Sequence, residues 1–134
     1  MLLFEDRYAD YFGAGMNKIE EKLLNIANFF EKNERHFIGM FCDVGDVTDI
    51  PGRIRVFLTA LNNFDKTRDR KHKIKDKILD EKFANSSLWK NGVLDVLRAA
   101  KLENRAIDTN DAMTMARNIS VLIDNVSKFK GLQK

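Results

Sequence analysis

The sequence predicts an all-α fold: a compact bundle of five to six amphipathic helices in a single domain that spans residues 1–134. Apolar residues recur at steps of three and four along most of the chain, which places them on one face of each helix. The one proline, Pro51, follows a loop-like segment, and no later residue forbids helix before Gly131. The alternation of β-branched and polar residues that is typical of strands is missing.

Length and composition indicate one soluble domain with its own core. The chain has 134 residues, of which 44% are hydrophobic, enough for a core without disulfides or metals. A single cysteine, Cys42, cannot form an intrachain disulfide and favours a reducing compartment. The apolar start Met1–Phe4 is too short for a secretory signal, and no apolar run reaches the length of a membrane span. We therefore expect a cytoplasmic protein that does not contact a membrane.

The first predicted helix carries a long apolar stripe that two glycines interrupt. Gly13 and Gly15 predict a kink, or a separate short N-terminal helix before the main one. The stripe resumes at Phe37 and Phe41 after a polar stretch. Its members are Phe4, Tyr8, Phe12, Met16, Ile19, Leu23, Ile26 and Phe30.

A loop and a proline precede the second predicted helix. The segment Asp43–Ile50 holds three aspartates and a glycine, and Thr48 or Asp49 can cap the helix that Pro51 helps to start. Its apolar stripe consists of Ile50, Ile54, Phe57, Leu58, Leu61 and Phe64. Were this helix to continue, the stripe would fall on Arg68 and Lys71. The next apolar residues, Ile74 and Ile78, lie about 110° around the helix axis from this stripe. We therefore predict a break near Asp65–Asp69 and a new helix over about Arg70–Phe83.

Two more helices complete the predicted bundle. Asn85-Ser86-Ser87 is a strong N-cap signal, and Asp108 with Asp111 resembles a capping box at the start of the last helix, which ends at Gly131. The apolar stripe of the first of the two helices is Trp89, Val93, Val96, Leu97 and Ala100. That of the second is Ala112, Met115, Ala116, Ile119, Leu122, Ile123, Val126 and Phe129.

The positive charge of the chain is concentrated in residues 66–77, the basic segment. The whole chain carries a net charge of only +3, and the rest of it is slightly acidic once this segment is set aside. Such asymmetry indicates an anionic partner for the segment. Its cations are Lys66, Arg68, Arg70, Lys71, Lys73, Lys75 and Lys77.

A helical projection sorts these charges by face. Lys66, Arg70, Lys73 and Lys77 form one flank beside the apolar positions Ile74 and Ile78, and Arg68, Lys71 and Lys75 form the other. The acids Asp65, Asp69, Asp76 and Asp80 lie on the face away from the isoleucines. One interpretation is a double basic ridge that binds phosphates without reading sequence, because no aromatic residue is interleaved for base stacking. The other is a solvated amphipathic helix with ordinary surface pairs such as Lys77–Glu81. Both remain open.

The polar residues elsewhere do not match a catalytic, metal or cofactor site. Asp43, Asp46 and Asp49 recur every third residue with no following Glu, unlike a calcium loop, and suit solvation and capping. Cys42 and His36 would lie about 120° apart on a helix, so a buried thiol is the better interpretation. Paired Glu-x-x-His motifs and a Gly-rich phosphate loop are missing. An enzyme is the least supported class.

The leading hypothesis is a small non-enzymatic binding protein, a subunit that contacts a nucleic-acid backbone through residues 66–77. The alternative is an adaptor, inhibitor or phage-type regulator that binds a protein partner through apolar or aromatic residues such as Trp89 or Phe37. Trp89 itself is better explained as a core residue. The regular apolar stripes suit a monomeric bundle and a homo-oligomer equally well.

Overall fold

The computed structural model describes residues 17–33, 49–68 and 73–127, leaving out the side chains of 64–68, 73–74 and 127. This part of the chain contains five helices and no strand, packed as a compact bundle, which confirms the predicted all-α fold. The helices are α1 (Lys18–Lys32), α2 (Ile50–Arg68), α3 (Lys73–Ile78, continued by a π-helical turn at Leu79–Ala84), α4 (Ser87–Trp89, a π-helical turn at Lys90–Leu94, then Asp95–Leu102) and α5 (Thr109–Ser127).

Helix α1 begins with its own cap. The side-chain Oδ1 of Asn17 accepts hydrogen bonds from the backbone amides of Ile19 at 2.8 Å and Glu20 at 3.4 Å. A capped start at this position agrees with the predicted interruption at Gly13 and Gly15, which themselves lie outside the described residues. The described residues also exclude six members of the predicted stripe: Phe4, Tyr8, Phe12, Met16, Phe37 and Phe41.

The three caps predicted from sequence are all formed. Asp49 Oδ1 accepts from the amide of Gly52 at 3.2 Å, and Ser86 Oγ accepts from the amide two residues ahead, also at 3.2 Å. Asp108 and Asp111 form a reciprocal capping box: Asp108 Oδ1 accepts from the Asp111 amide at 2.8 Å, and Asp111 Oδ2 from the Asp108 amide at 3.2 Å. These bonds satisfy amides that the first helical turn leaves without partners.

The core is centred on three aromatic side chains from three helices. The ring of Phe83 (α3) stacks on Phe57 (α2) with centroids 5.6 Å apart and meets Trp89 (α4) edge-on at the same distance. Trp89 is 1% exposed, which confirms its interpretation as a core residue. Around the three rings lie most residues of the predicted stripes, including Leu23, Ile26, Phe30, Ile50, Ile54, Leu58, Leu61, Val93, Leu97, Ala112, Met115, Ala116, Ile119, Leu122 and Val126.

Two π-helical turns, which the sequence pattern did not predict, adjust the register of α3 and α4. In a regular α-helix the apolar face of Leu79 would continue through both Lys82 and Phe83. The wider turn at Leu79–Ala84 leaves Lys82 exposed and buries Phe83 completely. In the second turn, Gly92 allows close approach of α5: Asn118 Nδ2 donates to the Gly92 carbonyl at 3.3 Å, and a Cβ at residue 92 would lie 2.1 Å from that nitrogen.

Candidate nucleic-acid interface

The basic segment spans the end of α2 and the start of α3. Helix α2 continues without a break through residues 65–68 of the predicted window, and the described part of α3 begins at Lys73. Residues 69–72, and with them Arg70 and Lys71, lie outside the described part of the chain, as do the side chains of Lys66, Arg68 and Lys73. Of the seven predicted contact residues, the structure therefore describes the side chains of Lys75 and Lys77.

Lys75 is buried against the two preceding helices. Its Nζ lies 2.8 Å from Glu20 Oε1 on α1 and donates to Asn62 Oδ1 on α2 at 2.9 Å. Asn62 Nδ2 in turn donates to Glu20 Oε2 at 3.4 Å. The side chains of Lys75 and Glu20 are only 10% and 6% exposed. We call these three residues the Glu20–Asn62–Lys75 cluster.

This burial changes the role of Lys75. Its ammonium faces a carboxylate and an amide of the same chain, so an external phosphate would have to displace internal partners to reach it. Since a buried cation needs its own compensating partner, the pairing with Glu20 identifies Lys75 as a structural residue. Lys75 therefore does not belong to an exposed basic flank, and we leave it out of the interface proposed below.

Lys77 has the opposite environment. Positions two apart in an α-helix differ by about 200° around the helix axis. Lys77 therefore lies on the far side of α3 from Lys75. Its side chain is exposed and forms no ion pair with any residue that the structure describes. The predicted surface pair with Glu81 is not formed, although both side chains are described. Within the described part of the chain, Lys77 thus presents its cation to solvent without an acidic partner.

Asp76 and Asp80, the two acids of the predicted acidic face whose side chains are described, share a hydrogen-bond partner. Asn17 Nδ2 donates to Asp76 Oδ1 at 3.2 Å and to Asp80 Oδ1 at 3.4 Å, which confirms that these two carboxylates share a face of α3. Asn17 also caps α1, so both acids approach the positive end of that helix dipole. They are stabilised there without using Lys77. The other acids of the predicted face, Asp65 and Asp69, lack described side chains.

Four described arginines outside the basic segment form ion pairs with acids of the same chain. Arg105 is an example, since its guanidinium donates hydrogen bonds to both Asp111 and Glu103. These bonds raise the pKa of Arg105 above its usual value. These cations hold helices and turns together, whereas Lys77, like Lys90 and Lys101, is exposed and forms no ion pair with a described residue. The described pairs are Arg53–Asp124, Arg55–Glu31, Arg98–Asp95, and Arg105 with Glu103 and Asp111.

The aromatic anchors of the alternative hypothesis are not available on the described surface. Trp89 is enclosed by the core, and Phe37 lies outside the described residues. The large apolar side chains that the described part exposes are Val56, Leu102 and Val121, on three different helices. A protein partner would therefore have to recognise residues other than Trp89.

Other expected features can be located only in part. Among the described residues, no group of three His, Cys, Asp or Glu side chains is arranged to hold a metal ion. The residues His36, Cys42, Asp43 and Asp46 lie outside that part. Within the same ranges, every helix is too short or too polar to cross a membrane.

Comparisons with known proteins found no relative: no family, no curated protein and no solved structure matches the chain. The case for a function therefore rests on the charges and contacts of the chain itself.

Proposed function

We propose that the protein is a non-enzymatic binding protein, a subunit of a larger assembly, whose basic segment contacts the phosphate backbone of a nucleic acid. The observation that carries the proposal is the concentration of cations in residues 66–77, where the exposed ammonium of Lys77 forms no ion pair with a described residue. The nearby acids, Asp76 and Asp80, are engaged by Asn17. A cytoplasmic location is part of the proposal, supported by the single cysteine. The proposed contact residues are Lys66, Arg68, Arg70, Lys71, Lys73 and Lys77.

Six cations within twelve residues suit a polyanion better than a single small anion. Each phosphate that a lysine or arginine neutralises releases condensed counterions, and this release drives binding without sequence readout. Lysine and arginine are also the usual backbone-contacting side chains, and phosphate contacts fix position without specifying bases. The segment contains no Phe, Tyr or Trp to stack on bases. We therefore expect similar affinities for unrelated sequences of the same length and strandedness.

Two double variants with the same change in charge test the proposal. Lys73→Ala with Lys77→Ala removes two cations of the basic segment, and Lys90→Ala with Lys101→Ala removes two exposed lysines of α4. We expect the first variant to bind a labelled oligonucleotide about tenfold more weakly than wild type at low salt, since each exposed charge contact contributes up to about 1 kcal/mol. The matched α4 variant should stay within about twofold of wild type, because its lysines lie outside the segment.

Fluorescence anisotropy with one double-stranded and one single-stranded oligonucleotide provides the affinities, and circular dichroism checks that both variants remain helical. Equal weakening by the two variants would show that only net charge matters, which would contradict a local interface.

A further inference from the structure

The Glu20–Asn62–Lys75 cluster connects the two helices that carry the basic segment, α2 with residues 66–68 and α3 with residues 73–77. Asn62 lies six residues before the end of α2 at Arg68, and Lys75 is the third residue of α3. Glu20 is the third residue of α1 and receives hydrogen bonds from both. A single set of polar contacts thus connects α2 and α3, which carry the basic segment, with α1.

A polar connection of this kind differs physically from the apolar contacts farther along α3. Ile78, Leu79 and Phe83 bury the later turns of α3, and the hydrophobic effect that stabilises this burial is non-directional. A buried ion pair with hydrogen bonds has one favourable geometry, because a displaced partner leaves a charge uncompensated in the interior. The cluster therefore holds the first turn of α3 in one position and rotation relative to α2.

We infer that the Glu20–Asn62–Lys75 cluster is a positioning device, which fixes α3 against α2 and so sets how the two helices of the basic segment are presented to a phosphate backbone. The inference rests on the proposed function and adds a role for Lys75, the cation of the segment that is turned inward. Lys75 acts through its neighbours and touches no phosphate. A variant that adopted the competent arrangement a tenth of the time would bind about tenfold more weakly.

Exchanging the two charges separates positioning from direct contact. Glu20→Lys alone and Lys75→Glu alone each place like charges together in the cluster. The double variant Glu20→Lys/Lys75→Glu restores an opposite pair and keeps the net charge of the chain. We expect each single variant to bind a labelled oligonucleotide at least about tenfold more weakly, and the double variant to return within about threefold of wild type. Its salt dependence should match that of wild type.

A matched control has the same amino-acid composition as the double variant. Glu20→Lys/Lys101→Glu moves the second charge to an exposed lysine of α4, outside both the basic segment and the cluster, so binding should not recover. Amide hydrogen exchange just after the first turn of α3, at Ile78 and Leu79, is measured on all variants, because amides of the first turn have no partner within the helix. Protection should be lost in the single variants and in the control, and regained in the charge exchange. If a single variant does not fold, the double variant against wild type still decides the question.

Recovery of exchange protection without recovery of binding would show that Lys75 contacts phosphate directly, and would overturn the inference. Failure of the double variant to regain protection would overturn it as well, because the pair would then not set the position of α3. Wild-type protein that binds no oligonucleotide would refute the proposed function and the inference together. The first two results would refute the inference alone.

Discussion

Phe83→Ala is expected to destabilise the protein by about 3–5 kcal/mol, as is usual for removal of a buried aromatic ring. Phe83 is fully buried and joins three helices, since its ring stacks on Phe57 and meets the edge of Trp89. Its loss leaves a cavity at the centre of the bundle and removes both aromatic contacts, each of which contributes about 0.5–1.5 kcal/mol beyond its buried area.

Urea unfolding followed by tryptophan fluorescence measures this change, because Trp89 is the one tryptophan of the chain and contacts the altered residue. Val56→Ala is the control: Val56 is 71% exposed, so its truncation should change the free energy of unfolding by no more than about 0.5 kcal/mol. A Phe83→Ala variant as stable as this control would contradict the described core.

Lys75→Met is expected to cost about 3–5 kcal/mol, because it leaves the carboxylate of Glu20 buried without its cation. Replacing both partners, in Glu20→Leu/Lys75→Met, should recover most of that loss, since no charge is then buried without its counter-ion. Recovery stays incomplete because Asn62 loses both hydrogen-bond partners.

A double-mutant cycle on the free energies of unfolding gives the coupling between the two positions. A cost below about 1 kcal/mol for Lys75→Met would mean that Lys75 remains solvated, which is the behaviour expected of an exposed lysine. The structure would then be wrong about the Glu20–Asn62–Lys75 cluster.

The sequence predicted those features of the fold that depend on neighbours along the chain. The stripe of α5 from Ala112 to Val126 and the capping box of Asp108 and Asp111 are local patterns. Helical periodicity and capping act within one or two turns, so they can be recognised without knowing which helices pack together.

The features that the sequence did not reveal depend on residues far apart in the chain. Lys75 and Glu20 are 55 positions apart, and their pairing depends on how α1 packs against α3. One local signal did exist: Glu20 lies next to Ile19 and one turn before Leu23, on the buried face of α1. A carboxylate on such a face predicts a buried cation partner, although it does not say which lysine provides it. The π-helical turns, likewise, reflect the register that the packed core requires.

The affinity of the wild-type protein for an unrelated duplex oligonucleotide, measured at a series of salt concentrations, tests the proposed interface most directly. If the six proposed cations each neutralise one phosphate, the logarithm of the association constant should fall linearly with the logarithm of salt concentration, with a slope of about −5. Affinity should then drop about a thousandfold between about 50 and about 200 mM salt. Absence of binding at about 50 mM salt, or an affinity that does not change over this range, would contradict the interface.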